Sequence, residues 1–488
     1  MLVYNNIEMN FKRYIYIIFS GVIGLASCKK SFLDEKPPTS VPVADAIKTE
    51  SDLNDAINGM YAAMRNYFLY GRDVPVLGDV LADNVYVSST NSGRYLQEQN
   101  YTYIAINGEA SDIWSQGYYS ILQANRIIYA ANTQFPTATN NVNQIKGEAY
   151  IARALNYLEL VNFYAKPFTV DPTALGVPLV TTPTNITGAF IKPARATVTA
   201  VYNKIISDLD SAYAIMPTTN TVHPVNSNYL SKYAAKAIEA RAYLYKGEYA
   251  NARDAALLVV TGGGYSLTPS TSFGAYWANT TASTNKVETV FELALNTVTN
   301  NGFNGLDDIY AQSGYGDLLV YTDFYNSYSS TDVRKSLILT GTRGGAPALI
   351  VNKYSNFTLA SEKDDIKIIR YAEVLLTLAE SYAALGDNIN AQKYVNQLAE
   401  IRDPSFTGYT STGPQLVNDI VNERRKELAF EGLRYFDLQR LNLPVNRPTQ
   451  ANTSPILPTL AAGDNRRILP IPQAEVDANA NIKQNPGY

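Results

Sequence analysis

Residues 415–441 constrain the fold of this chain most strongly, because the stretch is both highly charged and strongly apolar. Apolar side chains recur there at near-helical spacing: Leu416, Ile420, Leu428, Leu433 and Phe436. Charged side chains stand three or four residues apart, where they can pair along a helix face: Glu427, Glu431, Arg434, Asp437 and Arg440. The pattern predicts one long helix across the whole stretch, with ion pairs along it.

Several carboxylates on one helix suggest general acid and base catalysis as a first hypothesis. Each of these carboxylates, however, has an arginine at reachable spacing. A neighbouring cation lowers the pKa of a carboxylate, whereas a catalytic acid needs a raised pKa. The spacing therefore favours a structural role for the charges.

The same residues carry a resemblance to a known family. The stretch 423–440, read as E-R-R-x-E-L-x-F-E-G-x-R-x-x-D-L-x-R, resembles the C-terminal motif of the SusD/RagB family, nutrient-binding lipoproteins of Gram-negative outer membranes. The chain ending, with Arg467 to Pro472 and Gln484 to Tyr488, is similar to the usual ending of that family. The resemblance implies a bundle of tetratricopeptide-like helices that carries an irregular ligand-binding portion. It also implies a partner, a SusC-like TonB-dependent transporter on which the protein sits as a lid.

Composition excludes several functional classes. The 488-residue chain has a pI near 5.4 and a net charge of −4. It therefore lacks the excess of basic residues that is typical of proteins that bind nucleic acid. It contains one histidine, His223, and one cysteine, Cys28. One histidine and one cysteine are too few for a typical zinc site or a disulfide framework. They also leave little basis for Ser-His or Cys-His catalysis. No cofactor is expected.

The N-terminus reads as a lipoprotein signal. Lys12 and Arg13 precede an apolar run of too few residues to cross a bilayer, and Leu25-Ala26-Ser27-Cys28 follows as a lipobox. We expect residues 1–27 to be removed, Cys28 to be acylated, and residues 28–45 to form a proline-containing tether. Cleavage leaves 38 basic and 43 acidic groups, so charge does not hold the body to anionic lipid. Met9 is an alternative start.

The body, residues 46–488, is expected to be a single, predominantly all-α unit. Apolar periodicity predicts helices over residues 44–65, 113–128, 145–164 and 198–216. Two later stretches match each other and the tetratricopeptide repeat: Ala240, Tyr243, Gly247 and Ala252 have the same offsets as Ala379, Tyr382, Gly386 and Ala391. Small residues at such offsets let two helices approach closely.

Residues 262–360 have a different character and are expected to form an irregular, loop-rich insert. Glycine, threonine and serine clusters break any long helix there, and Val287 to Leu295 reads as a short strand. Loops on a rigid scaffold are where ligand contacts concentrate. A sugar needs flat aromatic rings with amide, carboxylate or arginine partners nearby. The ligand-binding candidates from the early loop and the insert are Tyr86, Arg94, Tyr95, Tyr276, Trp277, Tyr315, Tyr321 and Tyr325.

The functional hypothesis is a cell-surface lipoprotein of the outer membrane that binds a glycan or other polymeric nutrient without cleaving it. One alternative is a helical glycoside hydrolase using two carboxylates, for which Asp307-Asp308 and Asp364-Asp365 are the acidic pairs outside the family motif. Adjacent residues diverge on a helix and alternate on a strand, so neither pair obviously faces one substrate. A peptide-binding or adaptor lipoprotein is the other alternative.

Overall fold

Helices are the main regular elements of the chain described by the computed structural model, which covers residues 46–183, 192–219, 222–223, 227–278, 287–356 and 365–488. The body from Thr49 to Tyr488 forms one compact unit. Its long helices are α1 (Glu50–Met64), α4 (Gly108–Thr133), α5 (Asn140–Tyr164), α6 (Val198–Ile215), α7 (Lys232–Lys246), α8 (Tyr249–Gly262), α12 (Tyr371–Ala384), α13 (Asn388–Arg402) and α14 (Gly413–Glu427). No helix among these residues is long and apolar enough to cross a bilayer.

Shorter elements connect the long helices. The short helices are α2 (Asp73–Val80), α3 (Leu96–Asn100), α9 (Phe273–Trp277), α10 (Leu306–Tyr310), α11 (Thr322–Asn326), α15 (Arg434–Arg440) and α16 (Gln473–Ala478). The strands are β1 (Val85–Val87), β2 (Thr289–Leu293), β3 (Leu318–Val320), β4 (Ile338–Arg343), β5 (Ala346–Val351), β6 (Ile366–Arg370), β7 (Val445–Asn446) and β8 (Thr459–Leu460).

The long helices stack one on the next. Helix α1 packs on α4, α4 on α5, α5 on α6, α6 on α7, and α7 on α8, which in turn contacts α12. Helix α5 is buried around nearly its whole circumference because it has neighbours on several sides. The four helices predicted in this part of the chain are confirmed, with ends that differ by up to six residues. The structural start of α1, for example, is the capping box of Thr49 and Asp52.

The two predicted repeat units are helical hairpins. Helices α7 and α8 meet at Gly247, and α12 and α13 meet at Gly386. Both glycines have positive φ, 73° and 84°, the left-handed conformation that ends a helix with little steric cost. Ala252 and Ala391, at matching offsets, are fully buried where the helices approach. The prediction of a predominantly α-helical fold with tetratricopeptide-like repeats is confirmed.

The insert contributes strands to two small sheets, each completed by a strand from outside residues 262–360. Four antiparallel strands lie in the order β1-β3-β5-β4, and Tyr86 on β1 faces Leu319 on β3. The predicted strand around residues 287–295 is confirmed as β2, which pairs with β6. Strand β6 leads directly into α12, so this pair ties the insert to the second repeat.

The prediction of one helix across residues 415–441 is wrong. Helix α14 ends at Glu427 and α15 begins at Arg434. Between them, Phe430 and Gly432 have positive φ values of 66° and 77°. The chain turns here because the backbone of Gly432 lies against α2: a Cβ atom on Gly78 would lie 1.8 Å from the Gly432 carbonyl oxygen. Helical periodicity in the sequence continues through this turn and therefore did not reveal it.

The charges of the motif pair mainly with other elements. Glu427 accepts from Arg370 at 2.8 Å, and Arg402 and Arg334 also lie within 3.2 Å of it. Lowered carboxylate pKa values were expected, and the arginines around Glu427 do lower its pKa despite its complete burial. Pairing along the helix face holds for Asp437 with Arg440, at 2.8 Å. The other charges of the predicted face find partners elsewhere in the fold: Glu431 bonds Lys353 and Arg370, and Arg434 bonds Asp83.

Candidate ligand-binding site

A cation and an aromatic ring meet at the surface where strands β1 and β3 lead into their loops. The guanidinium carbon of Arg94 lies 3.6 Å from the centroid of the Tyr315 ring. Both side chains are partly exposed. Together they offer a flat ring beside a charged hydrogen-bond donor, a combination that attracts ligands with an apolar face and hydroxyl groups.

The loop that carries Arg94 is anchored by a buried carboxylate. Asp317, which precedes β3, accepts a 2.8 Å hydrogen bond from the backbone N–H of Ser92 and another from the Ser92 hydroxyl. That hydroxyl accepts in turn from Arg94 Nη1 at 2.9 Å. Asp317 therefore positions Arg94 through Ser92. A loop held in this way loses less conformational entropy when it binds a ligand.

The Tyr315 side of the site is anchored by a second arginine. Arg343, at the end of β4, donates through Nε to the carbonyl of Thr90 at 2.8 Å and through Nη2 to the carbonyl of Tyr315. It also lies 3.7 Å from Asp317. The two loops are thus cross-linked by one side chain, which fixes their relative position.

Of the eight predicted ligand residues, the structure brings Arg94 and Tyr315 into contact. Tyr325 is also partly exposed, on α11, and Lys335 Nζ lies 4.6 Å from its ring centroid. This second cation–aromatic pair does not share a contact with the first. The residues that sequence reasoning missed are Asp317 and Arg343, whose roles depend on pairing between strands.

The other five predicted residues are buried, with at most 9% of their surface exposed: Tyr86, Tyr95, Tyr276, Trp277 and Tyr321. Tyr95 donates to Asp73 at 2.8 Å, Tyr276 is hydrogen-bonded to Thr289, and the rings of Tyr86 and Tyr321 pack 5.1 Å apart. Their rings are not presented to a ligand in this structure. The segments were identified as loops by composition, but composition does not show that a loop folds back onto the core.

Three cationic side chains lie close to the indole ring of Trp277. Lys353, Lys367 and Arg370 lie 4.2, 4.5 and 5.2 Å from its ring. The residue is 3% exposed and contacts the ring of Tyr354 edge-on. These contacts make it part of the core that joins the insert to the motif helices.

Two family models match the chain. One, described as starch-binding and associating with the outer membrane, matches residues 31–244, and the other, the SusD family, matches residues 350–488. This chain belongs to the SusD/RagB family. Among curated relatives, SusD-like protein P2 of Formosa agariphila is 27% identical over 98% of this chain and 100% of its own length. SusD-like protein P38 of the same organism is 25% identical over 92% and 95%.

Solved structures of SusD proteins share the fold. A putative sugar binding protein from Bacteroides vulgatus superimposes with a TM-score of 0.80 at 29% identity, covering 91% of this chain and 99% of its own. A SusD superfamily protein from Bacteroides thetaiotaomicron gives 0.80 at 29% identity, covering 90% and 100%. The SusD fold thus extends over nearly the entire body.

The described members of the acidic pairs that suggested a hydrolase are buried in this SusD-like body. Asp307 and Asp308 lie on α10, and each is at most 4% exposed. Asp365 is equally buried and accepts from the backbone N–H of Leu295 at 3.0 Å. Its sequence neighbour, Asp364, lies outside the described residues. The described members of these pairs therefore do not face a substrate cleft.

Proposed function

We propose that this chain is a cell-surface lipoprotein that binds a glycan and delivers it to a SusC-like TonB-dependent transporter without cleaving it. Membership of the SusD family supports a carbohydrate-binding role. The observation that carries the proposal is the stacked pair of Arg94 and Tyr315 on two anchored loops.

The geometry suits a sugar because a sugar ring has one apolar C–H face and a rim of hydroxyls. The Tyr315 ring provides the apolar contact, and Arg94 provides charged donors beside it. In the preceding loop, the Ser92 hydroxyl accepts from Arg94, and Asn91 donates to the Ser454 hydroxyl at 2.9 Å. A non-catalytic receptor needs no more than such a pre-positioned surface.

Location and partner rest on the sequence and the family. The lipobox at Cys28 lies outside the described residues, and acylation there would place the protein on a membrane. Association with the outer membrane is part of the description of the matching family. Delivery to a TonB-dependent transporter follows from the lid-like arrangement that the family resemblance implies.

The test is a glycan array followed by titration of the best-bound glycan against the protein and its Tyr315→Ala variant. We expect at least about tenfold weaker binding by the variant, the equivalent of about 1.4 kcal/mol, because the ring supplies the apolar contact. Tyr119→Ala is the matched control, since Tyr119 is 51% exposed on the distant helix α4. Retained binding by Tyr315→Ala, or no glycan bound by the folded protein, contradicts the proposal. Shortened oligosaccharides after incubation support the hydrolase instead.

A further inference from the structure

A polar cleft of about 350 Å³ opens at the other end of the β1–β3 ladder from Tyr315. Asp83, before β1, and Asp323, after β3, lie on its wall together with Phe324, Arg425, Asn446 and Arg447. The ladder is roughly 7 Å long at about 3.3 Å per strand residue, and neither Arg94 nor Tyr315 lines the cleft. The cleft is therefore a separate site from the Arg94–Tyr315 pair.

Arg425 contributes a guanidinium with spare donor capacity. It donates through Nε to Asn84 Oδ1 at 2.8 Å and through Nη2 to the Asp83 carbonyl at 2.9 Å. Among the described residues, no acceptor takes a hydrogen bond from its Nη1 group. Its side chain is 26% exposed and its guanidinium carbon lies 5.0 Å from the Phe324 ring centroid. The two side chains form a donor next to a ring at the cleft wall.

Arg447 brings a second positive charge, and no carboxylate of the described residues lies at hydrogen-bonding distance from it. Its donors go to backbone carbonyls, those of Ala82, Gln99, Leu457 and Val80. Carbonyl dipoles hold the guanidinium in place, but they leave its net charge uncompensated. The residue is nevertheless almost fully buried against the cleft.

The nearest carboxylate, Asp83, is already engaged. Arg434 donates to both Asp83 oxygens, at 2.8 and 2.9 Å, while Arg425 approaches only to 3.4 Å. Burial opposes ionisation of Asp83, but the surrounding arginines outweigh it and lower the pKa of the carboxyl. The lining of the cleft thus carries two guanidiniums, Arg425 and Arg447, and two carboxylates, Asp83 and the exposed Asp323. Because Arg434, outside the lining, donates to both oxygens of Asp83, the Nη1 group of Arg425 stays available for an anionic ligand.

We infer that this cleft binds the anionic group of a sugar unit, the carboxylate of a uronic acid. The inference rests on the proposed glycan-binding function and names the class of glycan, an acidic one. Arg425 donates to the anionic group through its spare N–H groups, the charge of Arg447 adds attraction, and Phe324 and Pro448 flank the sugar ring. The volume suits one sugar unit near the surface rather than a buried cofactor.

Four probes at low ionic strength separate the sources of such an anion: glucuronate, its methyl ester, inorganic sulfate and inorganic phosphate. Binding is measured by calorimetric titration of the intact protein. We expect glucuronate to bind and the ester to bind at least about tenfold more weakly, because esterification removes only the charge. Equal binding of acid and ester, or binding of inorganic anions without glucuronate, overturns the inference.

Two surface variants test the site without disturbing its buried arginines. Asn446→Asp adds a negative charge at an exposed position of the wall, and Asp323→Asn removes one. We expect glucuronate affinity to fall about fivefold in the first and rise by a similar factor in the second, as the Coulomb energy of one nearby charge predicts. If Asp323→Asn weakens binding instead, Asp323 accepts hydrogen bonds from the hydroxyl groups of a neutral sugar. That result rejects the inference that the cleft binds an anionic group.

The outcome also separates this inference from the proposed function. Glycan binding that requires Tyr315 but does not respond to either charge variant preserves the proposed function and rejects the cleft. Glucuronate binding that responds to both variants, in a protein that binds no glycan on the array, rejects the proposed function alone.

Discussion

Arg370 and Glu427 lie 57 residues apart in the sequence, and a 2.8 Å ion pair joins their side chains, both fully excluded from solvent. Arg370 ends strand β6, and Glu427 ends helix α14. Arg402 of α13 donates to the same carboxylate. The pair therefore links the insert, the second repeat and the family motif at one buried point.

Removing the charge of Glu427 should destabilise the protein strongly. Glu427→Gln leaves Arg370, Arg402 and Arg334 with less compensation in a buried site, which costs on the order of 3 to 5 kcal/mol of unfolding free energy. Urea unfolding followed by circular dichroism measures this loss. The control is Glu400→Gln, an exposed glutamate of α13, which should change stability by less than about 0.5 kcal/mol. Equal effects of the two substitutions would contradict the role assigned to the network.

The contact between Gly78 and Gly432 should not tolerate a side chain. A Cβ atom at position 78 would overlap the Gly432 carbonyl, so Gly78→Ala must displace either α2 or the turn between α14 and α15. We expect a loss of at least about 2 kcal/mol, measured by thermal and urea unfolding. Gly59→Ala is the matched control: Gly59 lies in α1 with open space around its Cα, and alanine there should be neutral or stabilise by up to about 1 kcal/mol.

Trp277 should matter for stability and not for binding. Trp277→Ala removes a buried ring under three cations and should cost about 3 to 5 kcal/mol of stability. Glycan affinity per folded molecule should match that of the unmodified protein, in contrast to Tyr315→Ala. Weaker glycan binding by Trp277→Ala at an unchanged melting temperature would instead indicate that Trp277 contacts the ligand.

Glu98 should make stability depend on pH near neutrality. Burial, followed by repulsion from Glu109 and Asp73, raises the pKa of this carboxyl from 4.5 to about 8. Between those values the folded protein binds a proton that the unfolded chain releases, so this group's contribution to stability is full below pH 4.5 and is lost as pH rises to about 8. The slope is at most about 1.4 kcal/mol per pH unit. Other carboxyls with a raised pKa, Asp79 and Glu159 at about 7, contribute slope of the same sign. Glu98→Gln should therefore make the decline of stability between pH 5 and 8 less steep, whereas Glu400→Gln should leave it unchanged in urea unfolding series.

Cys28 should control membrane attachment. The mature body has a net charge of −5 and offers no electrostatic anchor for anionic lipid, so Cys28→Ala should move the protein out of the membrane fraction. Fractionation with a high-salt wash, followed by immunoblotting, measures this shift. Full membrane retention of the variant after the wash would contradict lipidation at Cys28.

The family and the repeat scaffold could be predicted from the sequence because they depend on local patterns. The offsets of Ala240, Gly247 and Ala252 encode a helical hairpin through contacts between residues close in sequence. The direction of the pKa shift at Glu427 was predicted from arginines within the motif. The arginines that lower this pKa, Arg334, Arg370 and Arg402, lie outside the motif and could not be identified from the sequence.

The exposure of the candidate ligand residues could be predicted only in part. Arg94 and Tyr315 were among the candidates, but so were five buried aromatics, because a tyrosine in a polar segment has the same composition whether its ring points outward or into the core.

The sequence by itself determined the helical repeats, the strand near residue 290 and the family motif. Each of these depends on a pattern of residues that lie close together in the sequence. Tertiary structure alone decided that the motif breaks at Gly432, that Asp317 anchors Ser92 from 225 residues away, and that Arg425 lines a cleft beside Phe324. The physical reason is that close backbone approach and buried charge pairing depend on which elements meet in space, and helical periodicity reports only which face of one element is apolar.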